Sequence, residues 1–467
     1  MTDTIWAPDL TQFPGPKYLA LHRALRDAVR AGQLAPGQRL PTVRDLAWKL
    51  GATPGTVSRA YQMATQEGLL AATVGRGTFV STTTPRLGPT QALFADRDPV
   101  GMTNLVDLRS PQLPDVGQSA AFGAVMHRMP ESMSADCVNY PSQRAEGPLR
   151  AAICGWLEDR VLGPVSADDI ALCHGGQNAI NLIFMCCLRG DRPAILCEDL
   201  AYPGFRHAAR LSRAEVVGVE MDQHGIIPDA LEAACRRHNP QILCLTPEAQ
   251  NPTAARMPEA RRAQIAAIAR AHDLQIIEDD CYSIAQSGWP AIRALAPERT
   301  WYVGSFSKSI SAALRFGYIA CPLGMGHTMR LTAQHSFFAM AQPISDLCLD
   351  LLTSGVAYDL RRKVQAEFTD RLQMIVNALG AHDLVWQPGL PFVWLRLPSG
   401  WRVSTFARMA EAEGVLVRSA DEYALVHGRS PNAMRLAIAG GIPRARLAGA
   451  LDRLALLLAR PLQELAV

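Results

Sequence analysis

The sequence predicts an α/β protein in two parts, a small helical head closed by a hairpin and a large body built on a mostly parallel sheet. Three observations predict it: three short helical patterns followed by two short strand patterns up to Ser81, a turn-rich stretch after that, and repeated strand-then-helix alternation beyond Val106. A chain of 467 residues is long enough for two or three domains. With 48% hydrophobic and 19% charged residues it is neither disordered nor collagen-like. Its longest apolar runs, such as Ile183–Leu188 and Val415–Val417, fall far short of the ~20 residues needed to cross a bilayer. Met1–Gln12 carries Asp3, Trp6 and Asp9 rather than a secretory signal, so a cytoplasmic protein is expected. The 11 cysteines lack metal-type C-x-x-C spacing, and adjacent Cys186 and Cys187 in an apolar run read as buried hydrophobes in a reducing compartment.

Element by element, the head begins at Lys17, where Tyr18, Leu21, Leu25, Ala28 and Val29 form one apolar stripe ended by Gly32. A second helix follows Pro41, with Thr42 as N-cap and Asp45 three residues on, a capping box with Asp in place of Glu. Its stripe is Val43, Leu46, Ala47 and Leu50, and Gly51 stops it. A third helix opens at Thr53-Pro54 and buries Val57, Ala60, Tyr61 and Ala64. Leu69–Thr73 and Thr78–Ser81 are strands around the tip Val74-Gly75-Arg76-Gly77. This is a winged helix-turn-helix layout, with the third helix turning Thr53, Gly55, Thr56, Ser58 and Arg59 outward. Charge agrees: residues 1–80 hold nine Lys and Arg against five Asp and Glu, while the remaining 387 hold 37 against 38. On pattern alone the same faces also fit a helical domain with solvated surfaces. Ser81–Asn104, rich in Thr, Pro, Gly and Asp, reads as a linker. The expected domains are therefore 12–81, a linker over 82–104, and a body over 105–467.

The head's wording is specific. Gly32-x-Leu34-x-Pro36-Gly37-x-x-Leu40-Pro41-Thr42-x-Arg44-x-Leu46-Ala47, then Thr56-Val57-x-Arg59-Ala60-Tyr61, Glu67-Gly68-Leu69 and Gly75-Arg76-Gly77-Thr78-Phe79-Val80 resemble the GntR-family DNA-binding domain. The resemblance implies that Arg44, the start of the third helix (Thr53, Thr56, Ser58, Arg59) and the wing tip Arg76 meet double-stranded DNA. Where that family often has Ser-Arg at the recognition helix, this chain has Thr53-Pro54, so its operator cannot be carried over.

In the body, strands are expected at Ile170–Cys173, Ala194–Cys197, Glu215–Val219, Ile242–Thr246, Leu274–Ile277, Thr300–Gly304 and Gly317–Ala320. Helical spacing lies between them, as in Arg261–His272, with a smaller α/β segment towards Val467. Ligands of such sheets gather at the strands' carboxyl ends. Gly175-Gly176-Gln177 follows one strand and precedes a helix over Asn178–Leu188, so its backbone N–H groups suit an anion. Asp279 closes another strand. Lys308, in Ser305-Phe306-Ser307-Lys308, follows a third, where a lysine can lose its proton and form a Schiff base.

Together these positions resemble fold-type I aminotransferases, which bind pyridoxal 5′-phosphate (PLP), over residues 105–460. The resemblance implies roles residue by residue. Lys308 is the Schiff-base lysine, and Asp279 partners the ring nitrogen. Asn251 and Tyr282 meet the ring hydroxyl, and Tyr202 stacks on the ring. Gly176, Gln177, Ser305, Ser307 and Arg315 hold the phosphate, and Arg435 grips an α-carboxylate. Tyr140 reaches a neighbouring subunit's phosphate, implying a homodimer. Ala254 stands where the family often has Gly, and Leu200-Ala201 where it has Pro, which alters the cavity wall. A GntR-type head on such a body resembles the MocR subfamily of transcriptional regulators. That implies a PLP-dependent regulator sensing an amine or amino-acid effector, or PLP itself, and not primarily an enzyme. A working aminotransferase with an accessory head is the competing expectation.

Overall fold

The computed structural model describes residues 6–13, 15–73, 77–81, 105–132, 139–282, 288–425 and 430–459. Its contacts divide the chain into two units, residues 1–92 and 93–467.

In the head, α1 (Lys17–Arg30), α2 (Val43–Lys49) and α3 (Pro54–Gln66) precede the antiparallel pair β1 (Leu70–Thr73) and β2 (Gly77–Val80). Thr42 caps α2 by accepting from the Asp45 N–H at 3.2 Å while its hydroxyl donates to the Asp45 carboxylate at 2.6 Å. Gly51, at φ +54°, supplies the left-handed turn into α3. Leu21, Leu25, Leu34, Leu46, Val57 and Tyr61 form the head's core. One expectation is corrected. Tyr18 is only half-buried, because its ring carries the Arg59 guanidinium at 4.1 Å.

The body opens with β3 (Val106–Asp107), α4 (Gln118–Ser132) and α5 (Gly147–Trp156). Next come β4 (Ile170–Cys173), α6 (Gly176–Cys187), β5 (Ala194–Glu198), α7 (Pro203–Leu211), β6 (Glu215–Val219), α8 (Pro228–His238), β7 (Ile242–Leu245), α9 (Glu259–Ala271) and β8 (Gln275–Asp279). β9 (Thr300–Ser305) and β10 (Gly317–Ala320) complete a seven-stranded sheet of order β4-β10-β9-β8-β7-β5-β6. Only β10 runs antiparallel to its neighbours. β4, β5, β7, β9 and β10 are buried along their whole length and largely apolar, with polar residues only at strand ends such as Glu198, Thr300 and Ser305 and at Tyr302 and Tyr318, as a sheet covered on both faces requires.

The chain continues through α10 (Gly326–Phe337), α11 (Gln342–Thr353) and the 24-residue α12 (Val356–Leu379). A smaller sheet of order β11-β12-β15-β14 follows, made of β11 (Leu384–Val385), β12 (Phe392–Arg396), β14 (Arg418–Ser419) and β15 (Ala433–Ala437). α13 (Val403–Ala412) and α14 (Arg444–Ala459) pack on it with α12 through Phe368, Leu372, Val393, Phe406 and Leu454. β13 (Val415–Leu416) pairs in parallel with β3, tying the body's first strand to the small sheet's end.

Strand boundaries follow the sequence closely; two differences bear on the site. β7 stops at Leu245, because Thr246 turns its hydroxyl to accept from the Asn251 N–H at 3.1 Å. α6 starts at Gly176 rather than Asn178, because Gly175 at φ +83° turns the chain at once, so Gly176 and Gln177 lie in the first helical turn. The ten cysteines among the described residues are all free. No helix among those residues is long and apolar enough to cross a membrane. The linker over 82–104 and the wing tip Arg76 lie outside the described residues.

Candidate functional site

In the head, Arg44 on α2 and Thr53 and Arg59 on α3 are exposed, with Thr56 and Ser58 half-buried beside them. Thr53 is first a cap: its hydroxyl accepts from the Thr56 N–H at 3.3 Å and pairs with the Thr56 hydroxyl at 2.9 Å. Arg59 is steadied by the Tyr18 ring beneath it.

A cavity of about 640 Å³ opens at the carboxyl ends of the body's parallel strands. Gly176 and Gln177 after β4, Tyr202 after β5, Asp279 ending β8, and Ser305, Ser307 and Lys308 at the end of β9 all line it, with Arg315 and Tyr282. The first N–H groups of α6 have no acceptor within their own helix, and side chains close on them tightly. A Cβ on Gly176 would come within 2.6 Å of Cys281 Sγ, and one on Gly175 within 2.9 Å of Arg315 Nη2. Ser305 Oγ bonds Ser307 Oγ at 3.0 Å and accepts from the Ser307 N–H at 3.1 Å, so both hydroxyls face the same corner. Gly204 is required by packing, since a Cβ there would overlap the Tyr202 ring and Gln177 Oε1, each 2.1 Å away.

On the cavity floor the Asp279 carboxyl is pushed above the ordinary carboxylate range by burial, and it accepts from the Cys281 N–H at 3.0 Å. Burial likewise pushes the Tyr202 hydroxyl and the Cys281 thiol up, leaving both neutral. Lys308 Nζ donates to the Pro111 carbonyl at 3.1 Å and stands 6.0 Å from the centre of the Tyr282 ring.

Asn251 is fully buried and links two of these groups: its Nδ2 donates to the Tyr282 hydroxyl at 3.4 Å, and its Oδ1 accepts from Arg435 Nη1 at 2.8 Å. Arg435, 2% exposed, donates its Nη2 to the Arg109 carbonyl at 2.7 Å and lies over the Phe392 and Tyr423 rings at 5.1 and 5.0 Å. Its buried Nε has no hydrogen-bond partner. The structure does not bring Tyr140 to this cavity; it is 80% exposed and stacks on Phe338 at 5.3 Å.

Sequence reasoning passed over Arg109, Pro111, Cys281 and Arg418, which also line the cavity. The first two follow β3, whose place is set by pairing with a strand more than 300 residues away, and no local motif marks that.

Residues 103–454 match the family Aminotransferase class I and II, and residues 17–80 match bacterial regulatory proteins, gntR family. The chain is 28% identical to the HTH-type transcriptional regulator YdeF of Bacillus subtilis over 444 residues, covering 93% of this chain and 92% of that one. It is 29% identical to the HTH-type pyridoxine biosynthesis transcriptional regulator PdxR of Corynebacterium glutamicum over 355 residues, 74% of each. The fold is that of LysN, an α-aminoadipate aminotransferase of Thermus thermophilus, with a TM-score of 0.68 at 24% identity over 78% of this chain and 94% of that one.

Proposed function

The chain belongs to the aminotransferase class I and II family, which is PLP-dependent, and its gntR-family head gives it the MocR-type architecture; from this we propose a PLP-dependent transcriptional regulator whose body senses an amino acid. The observation that carries the reading is a cavity lined by Gly176, Gln177, Tyr202, Asp279, Tyr282, Ser305, Ser307, Lys308 and Arg315 in a chain that also carries a gntR-family head; Asn251 and Arg435 lie buried behind Tyr282 rather than on the lining.

The residues present fit PLP. The α6 N-terminus, pinned between Cys281 and Arg315, makes a cradle that a Cβ would fill, and Ser305, Ser307 and Arg315 would join it in holding the phosphate. Asp279 would hold the ring-nitrogen proton from a buried position fixed by the Cys281 N–H. Tyr202 would cover the ring face, while Asn251 and Tyr282 would donate to the ring hydroxyl. When bound, the group supplies an aldehyde for Lys308 and a ring that withdraws electrons. Arg435, held by Asn251 and the Arg109 carbonyl, would bind the α-carboxylate and so orient the amino group towards the reacting carbon. The exposed Tyr140–Phe338 stack supports a homodimer in which Tyr140 reaches the second copy's phosphate. Arg44, Thr53, Thr56, Ser58 and Arg59 would contact the operator, with Arg76 at the wing.

Turnover is the second reading, favoured by the completeness of the Lys308, Asp279 and Arg435 set. One experiment tests both. Wild type and Lys308→Ala are supplied with PLP, challenged with amino acids and 2-oxo acids, and assayed on their own upstream DNA. The regulator reading expects Lys308→Ala to lose the yellow absorbance and keep salt-sensitive DNA binding. Retained absorbance removes the lysine assignment. Rapid multiple turnover by wild type, with no specific DNA shift, selects the enzyme.

A further inference from the structure

We infer that Gln250 is a positioning residue for the cofactor, its side-chain amide setting Tyr202 and Asn251 relative to each other. The inference rests on the proposed PLP role and adds a residue that does not line the cavity.

Gln250 is 2% exposed, and its amide fills all four of its hydrogen-bonding positions. Nε2 donates to Glu198 Oε2 at 3.0 Å and to the Leu200 carbonyl at 2.7 Å. Oε1 accepts from the Thr253 N–H at 2.9 Å and from the Thr253 hydroxyl at 2.6 Å. Chemistry fixes which end is which: the Leu200 carbonyl only accepts and the Thr253 N–H only donates, so a flipped amide would set like against like at both. One side chain thus ties two loops together at the strands' carboxyl ends. The first leaves β5 and carries Tyr202 two residues beyond Leu200. The second leaves β7 and carries Asn251, the next residue after Gln250.

The backbone of Gln250 adds a second hold. Its N–H donates to the Ala255 carbonyl at 2.9 Å, and its carbonyl accepts from the Ala254 N–H at 2.8 Å. These bonds close the turn through Ala254, whose φ of +59° lies in the left-handed region that favours glycine. Ala254 stands where the aminotransferase pattern often has Gly, so the turn lacks glycine's freedom and leans on the bonds that Gln250 makes. A displaced turn would act twice. Asn251 donates to the Tyr282 hydroxyl and accepts from Arg435, so the groups assigned to the ring hydroxyl and to the α-carboxylate would move together.

The test titrates cofactor-free, full-length protein with PLP by absorbance and then takes the loaded protein through a pH series. Gln250→Met roughly conserves volume and removes all four amide bonds. It should weaken PLP binding about tenfold, the size of effect that one misplaced buried hydrogen bond produces. Asn251 and Tyr282 would donate to the anion of the ring hydroxyl, so their displacement should also raise the pH midpoint of the absorbance change. Thr253→Val removes only the hydroxyl bond and should shift both readouts the same way by less. Ala254→Gly added to Gln250→Met should recover resistance to denaturant, since glycine supplies the turn. The midpoint should stay raised in that double variant, since the tie to Leu200 is still missing. A merely structural Gln250 predicts lower stability with wild-type affinity and midpoint in the folded variants, and that result overturns the inference. If Gln250→Met does not fold in either background, Thr253→Val decides: shifted readouts support the inference and unshifted ones overturn it. A wild type that takes up no PLP overturns the cofactor reading itself, and this inference with it.

Discussion

Glu198 shows how one buried carboxyl sets a pH dependence. It ends β5, is 3% exposed, and accepts from Gln250 Nε2 at 3.0 Å and the Ile226 N–H at 3.2 Å. Burial outweighs those two hydrogen bonds and pushes its acid up to about 7 from an ordinary 4.5. The folded protein therefore keeps this proton to a higher pH than the unfolded chain. The resulting stabilisation is complete below the unfolded value and is lost as pH rises through 7. Glu198→Gln cannot titrate, and its amide would face that of Gln250, a penalty independent of pH. Denaturant unfolding of both proteins should show wild type losing ~3 kcal/mol relative to Glu198→Gln between pH 4.5 and 8. A difference that stays flat with pH would show that Glu198 is ionised throughout. Gln250 also donates to the Leu200 carbonyl at 2.7 Å, so the same proton bears on the segments carrying Tyr202 and Asn251.

At the scale of elements, what was legible followed from locality. α2 and α3 are announced by Thr42 and Thr53 because a cap and its helix lie within three residues of each other. The body's central strands are legible because a strand covered on both faces is apolar along most of its length. Most of the candidate cofactor positions, such as Gly176, Tyr202, Asp279 and Lys308, sit beside the carboxyl end of such a strand, which is where a sequence reading looks; Arg315, just before β10, and Tyr140 do not. Arg418 was not legible, since its neighbour Arg435 is 17 positions away and their pairing is a matter of register. Nor was the Tyr18–Arg59 stack, where an apparent core residue on α1 serves as a platform for a cation on α3. The cap at α3 yields its own prediction. Thr53→Ala removes the acceptor of the Thr56 N–H and should cost ~1 kcal/mol, read in the full chain as about fivefold faster amide exchange across α3. Thr53→Ser should restore protection. If Thr53→Ala weakens operator binding with no change in exchange, the hydroxyl acts on DNA and the cap is incidental.

For the whole molecule, the proposed pair of ligands, operator DNA and an amino acid, obliges any coupling between them to act equally in both directions. If an amino acid in the body alters operator affinity by some factor, operator DNA must alter the affinity for that amino acid by the same factor, because both paths join the same four states. Typical coupling of 1–3 kcal/mol corresponds to roughly 5–150-fold. A ligand that binds both DNA-competent and DNA-incompetent states equally shifts nothing, however tightly it binds. The prediction is therefore numerical. Cofactor absorbance titrated with an amino acid that shifts it, with and without saturating operator, should give a ratio of apparent affinities equal to that of operator affinities measured with and without that amino acid at saturation. Measurements belong at one salt concentration, since neutralising DNA phosphates makes the affinity of any such head steeply salt-dependent. Unequal ratios would show that an unrecognised step, such as transamination consuming the ligand during the titration, has taken the system away from equilibrium. Equal ratios of one would leave a PLP protein and a DNA-binding protein joined by a linker, with no regulatory coupling between them.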